Sequence, residues 1–547
     1  MQRPFSNQLS SRSVSYGANG MVATSHPLAT NTGLEILKSG GTAMDAAISA
    51  NAMLGVVEPN SCGVGGDLFA IIWDPNEKKL HSLNGSGPLS LTASLQEVKG
   101  RGLKYMPLRG GLTVTVPGCV KSWQFLHKRF GKLELSQIFK SPIEYAESGF
   151  VVTDVIAGYW EEELKSLDRF QEFVDLYTDK GRPPQSGEIF KNRNLAMLYS
   201  GFVDNGLDSF YKGAIADEII KKVRKYDGFM EPKDLLDYEP EWLDASSTNY
   251  RGRDIWEIGQ NNQGLTVLQM LNIIENHDLS KFKGPTDPGY LHLLIEAKKL
   301  AFEDRANFYI DPRFSEISLD EILSKEYAAK QYKKIHPNKV LNLSPAQRDT
   351  NLAGDTVYLT VADQHGMMVS LIQSNYRGFG SGVVVDKYGF GLQSRGELFS
   401  LNDQHANVLY PGKRPFHTII PGFVTQHDCP LMSFGVMGAD MQPQGHVQVL
   451  INQFDFGMDI QLAGDVPRVR HEGSSTPKGH TVSNSGFVYC EFSMPKESIA
   501  GLSAIGHDVK VTNDGLYGGY QAILRNLNTG VYSGATEPRK DGCALGY

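Results

Sequence analysis

Cysteine is scarce in this chain of 547 residues. The five present, Cys62, Cys119, Cys429, Cys490 and Cys543, are odd in number, far apart and without a C-x-x-C spacing. That pattern argues against a disulfide framework or a thiolate metal site and reads as small buried residues in a reducing compartment. A surplus of positive charge is lacking too. Lys and Arg number 53 against 61 Asp and Glu, for a formal net charge of −8, and no long basic run occurs, so nucleic acid and anionic membrane are not expected partners. Met1–Gly20 is rich in Ser, Arg and Asn and has no apolar core of the kind a secretory signal needs, and no membrane span is found, so the expected location is cytoplasmic. HExxH, CxxC and phosphate-loop signatures are missing, so no cofactor and no metal are expected; convergence of His26, His405, His417 and His446 is the one route left to a metal site.

What is present is ordinary globular material, 41% hydrophobic with 57 Gly and 26 Pro, enough for one large core or two to three smaller ones. Residues 1–20 read as a loose arm, with folded structure from Met21. Helices are expected over Ala29–Lys38 and Ala43–Val57, separated by Gly40-Gly41, the second apolar on most faces and therefore buried. The glycine cluster Gly63-Val64-Gly65-Gly66-Asp67 lies between a helix and a strand, the reverse of a nucleotide-binding order, and reads as a tight turn where backbone passes close to another element. Strands are expected at Leu68–Trp73 and Leu80–Leu83. From Val116 to Tyr332 the pattern is mainly helical; Phe210–Tyr238 and Leu291–Arg305 show apolar spacing of three and four, read as solvated faces over apolar stripes. Pro337–Gly354 is polar and turn-rich, read as an exposed linker. Later strands are expected at Leu431–Phe434 and, as a pair, at His507–Thr512 and Gln521–Leu527.

The stretch that organises the rest is Gly354-Asp355-Thr356-Val357-Tyr358-Leu359-Thr360-Val361-Ala362-Asp363. Val357, Leu359 and Val361 alternate with Thr356, Tyr358 and Thr360, the period of a half-buried strand. Asp363-Gln364-His365-Gly366 then turns into a second run, Met367–Ser374, so the pair reads as a hairpin with the Thr356 hydroxyl at a strand mouth. Taken alone, a Thr in such a strand is a residue of high β propensity and nothing more.

Gly-Asp-Thr-Val-Tyr-Leu-Thr-Val resembles the processing site of the gamma-glutamyltransferase family of N-terminal-nucleophile hydrolases, whose precursors cut themselves immediately before a Thr. Family-like segments recur in the expected order from about residue 21 to the C-terminus: Gly40-Gly41-Thr42-Ala43, Ala301-Phe302-Glu303-Asp304-Arg305-Ala306 and Gly534-Ala535-Thr536-Glu537-Pro538 among them. The resemblance implies an α+β fold, a four-layer αββα sandwich of the N-terminal-nucleophile hydrolase type. It divides the chain into a large subunit, 21–355, ending in a mobile linker at 337–355, and a small subunit, 356–547, both from one precursor and intertwined as one catalytic unit; whether processed units form a homodimer is left open. Cleavage between Asp355 and Thr356 would free an α-amine able to serve as the base for the Thr hydroxyl.

By the same resemblance Ser374 stands near the nucleophile's amine, and Gly438 with Ala439 takes the place of a Gly-Gly pair whose amides face the oxyanion. The substrate-gripping positions differ from those of glutathione-hydrolysing members. Asn84 aligns with their carboxylate-binding Arg, Leu398 beside Glu397 with their amine-binding Asp, and His417 and Thr418 with their paired serines. Arg395, and with it His417, is left to receive one carboxylate. These differences imply a small-molecule amide substrate, a short acidic amide such as oxamate ahead of a γ-glutamyl compound. A glutathione hydrolase, a cephalosporin-acylase-like amidase and a non-catalytic relative that binds a small acid are the alternatives.

Overall fold

In the computed structural model the described residues are 12–259, 261–315, 317–342, 355–479 and 486–547, with Asp355 described in its backbone alone. Local chemistry explains where the first helices begin. Pro27–Lys38 has Pro at its first position. In Ala43–Val57, Thr42 accepts from the Asp45 amide while Asp45 accepts from the Thr42 amide, a reciprocal cap, and every residue of the helix is buried.

Two seven-stranded antiparallel sheets form the centre. One runs, in spatial order, Cys543–Gly546, Met21–Thr24, Asp355–Ala362, Met368–Tyr376, Asp67–Asp74, Lys79–Gly85 and Glu241–Leu243; the other runs Ser15–Gly17, Tyr532–Thr536, Gly519–Arg525, Cys429–Met437, Gly422–Gln426, Arg253–Glu257 and Ser246–Tyr250. Met21, Phe69, Ile71, Tyr358, Met368, Phe423 and Ile523 pack between the sheets. Val357, Leu359 and Val361 face the outer helices that include Ala43–Val57. Gly264–Ile274, Pro288–Phe308 and Met441–Phe454 cover the other sheet. The expected αββα sandwich is therefore present.

Several expectations change. The strand Asp355–Ala362 is buried on both faces rather than half-buried, because one face meets helices and the other the second sheet. Residues 12–20 are not a loose arm: Ser15–Gly17 pairs with Tyr532–Thr536 at a sheet edge, while residues 1–11 lie outside the described residues. The helix Pro288–Phe308 has no broad solvated face; Glu296, Lys298, Lys299, Asp304 and Arg305 are all buried. Inside the region read as helical, Ser246–Tyr250 and Arg253–Glu257 form a hairpin around Arg251-Gly252, both at positive φ (53° and 78°), the two-residue turn that suits a twisted hairpin. Val509–Thr512 and Gly519–Arg525 do not pair. The former lies parallel to Phe487–Glu491 in a separate three-stranded sheet, and the latter joins the main sandwich. Of the linker, residues 343–354 fall outside the described residues; ahead of them Val340 is buried and the Leu341 amide donates to Glu296 at 2.7 Å.

All five cysteines are free; Cys62, Cys119 and Cys490 are buried as expected, Cys543 partly so, but Cys429 is exposed at the start of a strand. Among the described residues no helix is long and apolar enough to cross a membrane.

Candidate active site

Thr356 is buried, 2% exposed, and lies in a β-bulge. Asp355 pairs with Tyr376 and Val357 with Gln373, so Thr356 stands opposite both Ser374 and Asn375. A bulge of this kind re-aims a side chain, and here the Thr356 hydroxyl donates to Ser374 Oγ at 3.1 Å while Ser374 Oγ also accepts from the Tyr376 amide at 2.8 Å. Tyr376 itself is at φ 75°, a left-handed conformation that a bulky residue adopts only when its surroundings require it. The two residues expected at the nucleophile are thus in contact.

Register between the sheets locates the amides of Gly438 and Ala439. Thr360 Oγ1 meets Ser433 Oγ at 2.5 Å, and the Tyr358 ring lies over Gly435, where a Cβ would come within 2.4 Å of it. Continued two residues along both strands, that register runs from Thr356 toward Met437, the residue before Gly438 and Ala439. Gly438 has φ 121° and Ala439 φ 45°. Among the described residues neither amide donates to a protein acceptor, and the loop runs straight into the helix Met441–Phe454, whose N-terminal end favours negative charge.

Gln263 fixes this loop. Its amide nitrogen donates to the carbonyls of Ala439 (2.8 Å) and Thr418 (2.7 Å), and its oxygen accepts from Arg305, which also holds Asp440. Sequence reasoning passed over Gln263, and the signal was slight: a polar Asn261-Asn262-Gln263 triplet just before an apolar helix.

Arg395 is fully buried. Its Nη1 donates to Thr418 Oγ1 at 2.8 Å and its guanidinium lies 4.6 Å from the centre of the Tyr376 ring. Among the described residues Nε and Nη2 have no hydrogen-bond partner and no carboxylate forms an ion pair with it, and burial lowers its pKa to about 10. His417, also fully buried, has both ring nitrogens unpartnered among the described residues. Its Nε2 lies 3.7 Å from Asp67 Oδ2, beyond hydrogen-bond reach, and burial beside Arg395 and Arg414 holds the imidazole well below its ordinary range. The contact is therefore between a neutral ring and an acid. Asp67 is directly opposite Ser374 on the neighbouring strand, and Thr356, Ser374 and Asp67 form a row across three strands. Burial pushes the Asp67 carboxyl up to about 7, against the pull of Arg395, the Gly87 and Gly118 amides and Arg414. Sequence reasoning placed Asp67 in a turn and gave it no part in the site.

Two expected substrate ligands are engaged elsewhere. Asn84 donates to Asn261 Oδ1 at 2.7 Å and accepts from the Ser86 amide and hydroxyl at 3.0 and 2.6 Å, so its amide group ties the segments carrying Ser86 and Asn261 together. Glu397 is clamped by Arg377, with one bond of 2.7 Å, and by Lys478, so its carboxylate is taken up within the protein. The glycine cluster behaves as expected: Gly65 lies against the Gly391 carbonyl, leaving no room for a side chain.

The four histidines considered as a route to a metal form no ligand cluster among the described residues. His26 caps its helix by accepting from the Leu28 amide, His405 accepts from the Asn407 amide, and His446 bonds Glu257 at 2.8 Å. His292, Glu296 and His507 do gather, but Glu296 is already held by Lys299 and the Leu341 amide.

Two antiparallel sheets packed face to face between outer helices, the αββα sandwich, define the fold class of N-terminal-nucleophile hydrolases. Comparison with known proteins agrees. The gamma-glutamyltranspeptidase family profile matches residues 29–547. The glutathione hydrolase-like YwrD proenzyme of Bacillus subtilis is 33% identical, covering 97% of this chain and 99% of its own length. The oxamate amidohydrolase proenzyme of Klebsiella pneumoniae is 32% identical over 97% and 98%. Among solved structures, a cephalosporin acylase from Bacillus halodurans superposes with a TM-score of 0.91 at 41% identity, covering 100% of this chain and 99% of its own. The chain belongs to the gamma-glutamyltranspeptidase family, and it is a hydrolase of that family.

Proposed function

We propose that the chain is a proenzyme that cuts itself between Asp355 and Thr356 and then hydrolyses small amides carrying a carboxylate. The observation that carries the reading is the buried Thr356–Ser374 contact together with Arg395, a fully buried cation whose Nε and Nη2 have no hydrogen-bond partner among the described residues. Freed of residue 355, the Thr356 amine removes the proton from its own hydroxyl, the alkoxide attacks the substrate carbonyl, and the amides of Gly438 and Ala439 receive the oxyanion. Departure of ammonia or an amine leaves an ester on Thr356, which water hydrolyses. Arg395, with Thr418 steadying it, receives the substrate carboxylate.

An oxamate-like amide needs that single grip, whereas a γ-glutamyl group also presents an ammonium, and the two positions that could receive it supply no free acid: Leu398 is apolar and Glu397 is clamped. The likeness to a protein described as an oxamate amidohydrolase supports the choice. The 41% identity to a cephalosporin acylase favours a second reading, an amidase for a bulkier acidic acyl group.

Denaturing electrophoresis with N-terminal sequencing should give a small piece beginning at Thr356, and Thr356→Ala should remain one chain. On processed enzyme, kcat/KM for oxamate should exceed that for a γ-glutamyl anilide and for a glutaryl cephalosporin by at least about 100-fold, since a site without a partner for a polar group discriminates by orders of magnitude. Cleavage in Thr356→Ala, or efficient release from the γ-glutamyl anilide with none from oxamate, overturns the proposal.

A further inference from the structure

Asp67 has no place in the reaction just described, yet its surroundings are built for a ligand. Oδ1 accepts from the Gly87 amide at 3.2 Å, whereas Oδ2, fully buried, has no hydrogen-bond partner among the described residues. His417 Nε2 lies 3.7 Å from it, and the charge of Arg395 acts on it; Nε and Nη2 of Arg395 and both ring nitrogens of His417 are likewise buried and without a hydrogen-bond partner among the described residues. Unsatisfied buried polar atoms are costly one at a time. Several of them on adjoining side chains, one strand away from the Thr356–Ser374 contact, point to a polar group that the pocket takes in.

We propose that Asp67 is a specificity-determining residue that binds the substrate carboxylate in its protonated form, donating from Oδ2 to the same group that Arg395 grips, so that an acidic substrate enters together with one proton. The inference rests on the reading of Arg395 as the carboxylate receptor. Its physical basis is that two carboxylates a hydrogen bond apart in a buried site share a proton rather than both ionise. The groups facing Asp67 from the packed elements are Arg395, Arg414, His417, Cys119, Tyr238 and Tyr211. Burial holds the thiol and both phenols well above their ordinary ranges and the imidazole well below its own, and Arg395 keeps its charge to about pH 10. Among the side chains of that shell Asp67 alone changes charge near neutrality; the Thr356 amine freed by cleavage titrates in the same range but is common to wild type and Asp67→Asn, so the difference between the two reports the acid. A neutral amide of the same size has no carboxylate to share the proton and gains nothing from it.

Oxalate, which has no amide to hydrolyse, is a suitable probe on the processed enzyme. Its inhibition constant should weaken by about 10-fold per pH unit above pH 7.5, the slope of one linked proton, and KM for oxamate should follow, while KM for propionamide stays flat. In Asp67→Asn, whose amide donates at every pH, both carboxylate profiles should lose that tenfold slope between pH 6.5 and 9, and proton uptake on oxalate binding at pH 8 should fall by close to one. Calorimetry of oxalate binding to wild-type enzyme in buffers of different ionisation enthalpy should report uptake of close to one proton at pH 8, a measurement that needs no variant to fold. A flat wild-type profile without proton uptake, or the same slope in Asp67→Asn, overturns the proposal. Oxamate turnover without proton uptake sinks this inference alone. Proton-linked oxalate binding without oxamate turnover sinks the proposed function and leaves the acid in its role.

Discussion

Ala439 occupies a conformation that suits glycine better, with φ 45° in the loop proposed to receive the oxyanion. A Cβ in the left-handed region costs roughly 1–2 kcal/mol, while glycine costs the unfolded chain more entropy, roughly 0.5–1 kcal/mol. Ala439→Gly should therefore leave the denaturation midpoint unchanged or raise stability by up to about 1 kcal/mol, with kcat/KM kept within a few-fold, because the donor is backbone. Ala439→Val should lower both, since a β-branched residue tolerates positive φ poorly. At Glu397 the two roles separate cleanly. If its carboxylate serves to neutralise Arg377 and Lys478, as the contacts indicate, Glu397→Gln should cost about 3 kcal/mol in urea denaturation, the range for breaking a buried ion pair. A raised KM with unchanged stability would instead make Glu397 a substrate ligand. Ser374 was legible because the motif around Thr356 is distinctive. Asp67 and Gln263 were not, because each is a common polar residue whose importance comes from what the opposite strand or loop places beside it.

At the scale of elements, the hairpin that begins at Thr356 is tied to the N-terminal part of the chain through one carboxylate. Asp363 accepts from the His365 and Met367 amides at 2.9 and 3.2 Å and from the Ala43 amide, at the start of the helix Ala43–Val57, at 2.9 Å. Asp363→Ala should lower stability by about 2 kcal/mol, the upper range for loss of a cap, and should do so equally in the uncut Thr356→Ala background, measured by urea denaturation. Asn at this position, which retains an acceptor, should recover about half. The helix over residues 43–57 was legible to its ends because its cap and its Ala-rich pattern are local. The hairpin around Arg251-Gly252 was missed because its strands are short and polar, and their partners in the sheet are distant in sequence.

For the whole molecule, the two parts created by a cut before Thr356 are interleaved: Met21–Thr24 and Asp67–Asp74 from the first flank, in one sheet, the strand that would begin at Thr356 and its neighbour Met368–Tyr376 from the second. Processed protein should elute as one species in size exclusion and separate into pieces only on unfolding. A pH dependence of stability follows from buried histidines. Burial lowers His26 to about 4 and His446 and His507 to about 3. The unfolded chain, with His near 6.5, binds those protons more readily, so the stability they contribute is complete above pH 6.5, declines as pH falls below it and is gone once pH drops through the folded values. Asp67 works in the opposite sense: with its folded value raised to about 7, its contribution is complete below its unfolded value of 3.8 and is lost as pH rises through 7. His417 and four further histidines are lowered in the same way. Raised acids that include Asp67 and Glu257 act against them, and carboxylates lowered by their partners, Glu172 and Asp440 among them, act with the histidines, so the net slope between pH 6.5 and 4 is positive with pH. Urea midpoints measured at pH 4.5, 5.5 and 7 should rise in that order, and Lys478 or Arg395 variants should not reverse the trend.

The sequence by itself determined the family, the sandwich class, the central strand pair and the position of Thr356, since motif order and alternation are properties of neighbouring residues that survive without coordinates. Only the tertiary structure decided that Asp355–Ala362 is buried on both faces, that Asn84 and Glu397 are spent on internal partners, and that Asp67 stands in line with Thr356 and Ser374 beside a free Arg395. The reason is physical: which donors are satisfied, and which charges are left without a partner, depends on groups that sequence separation hides and that sheet register and packing bring within bonding distance.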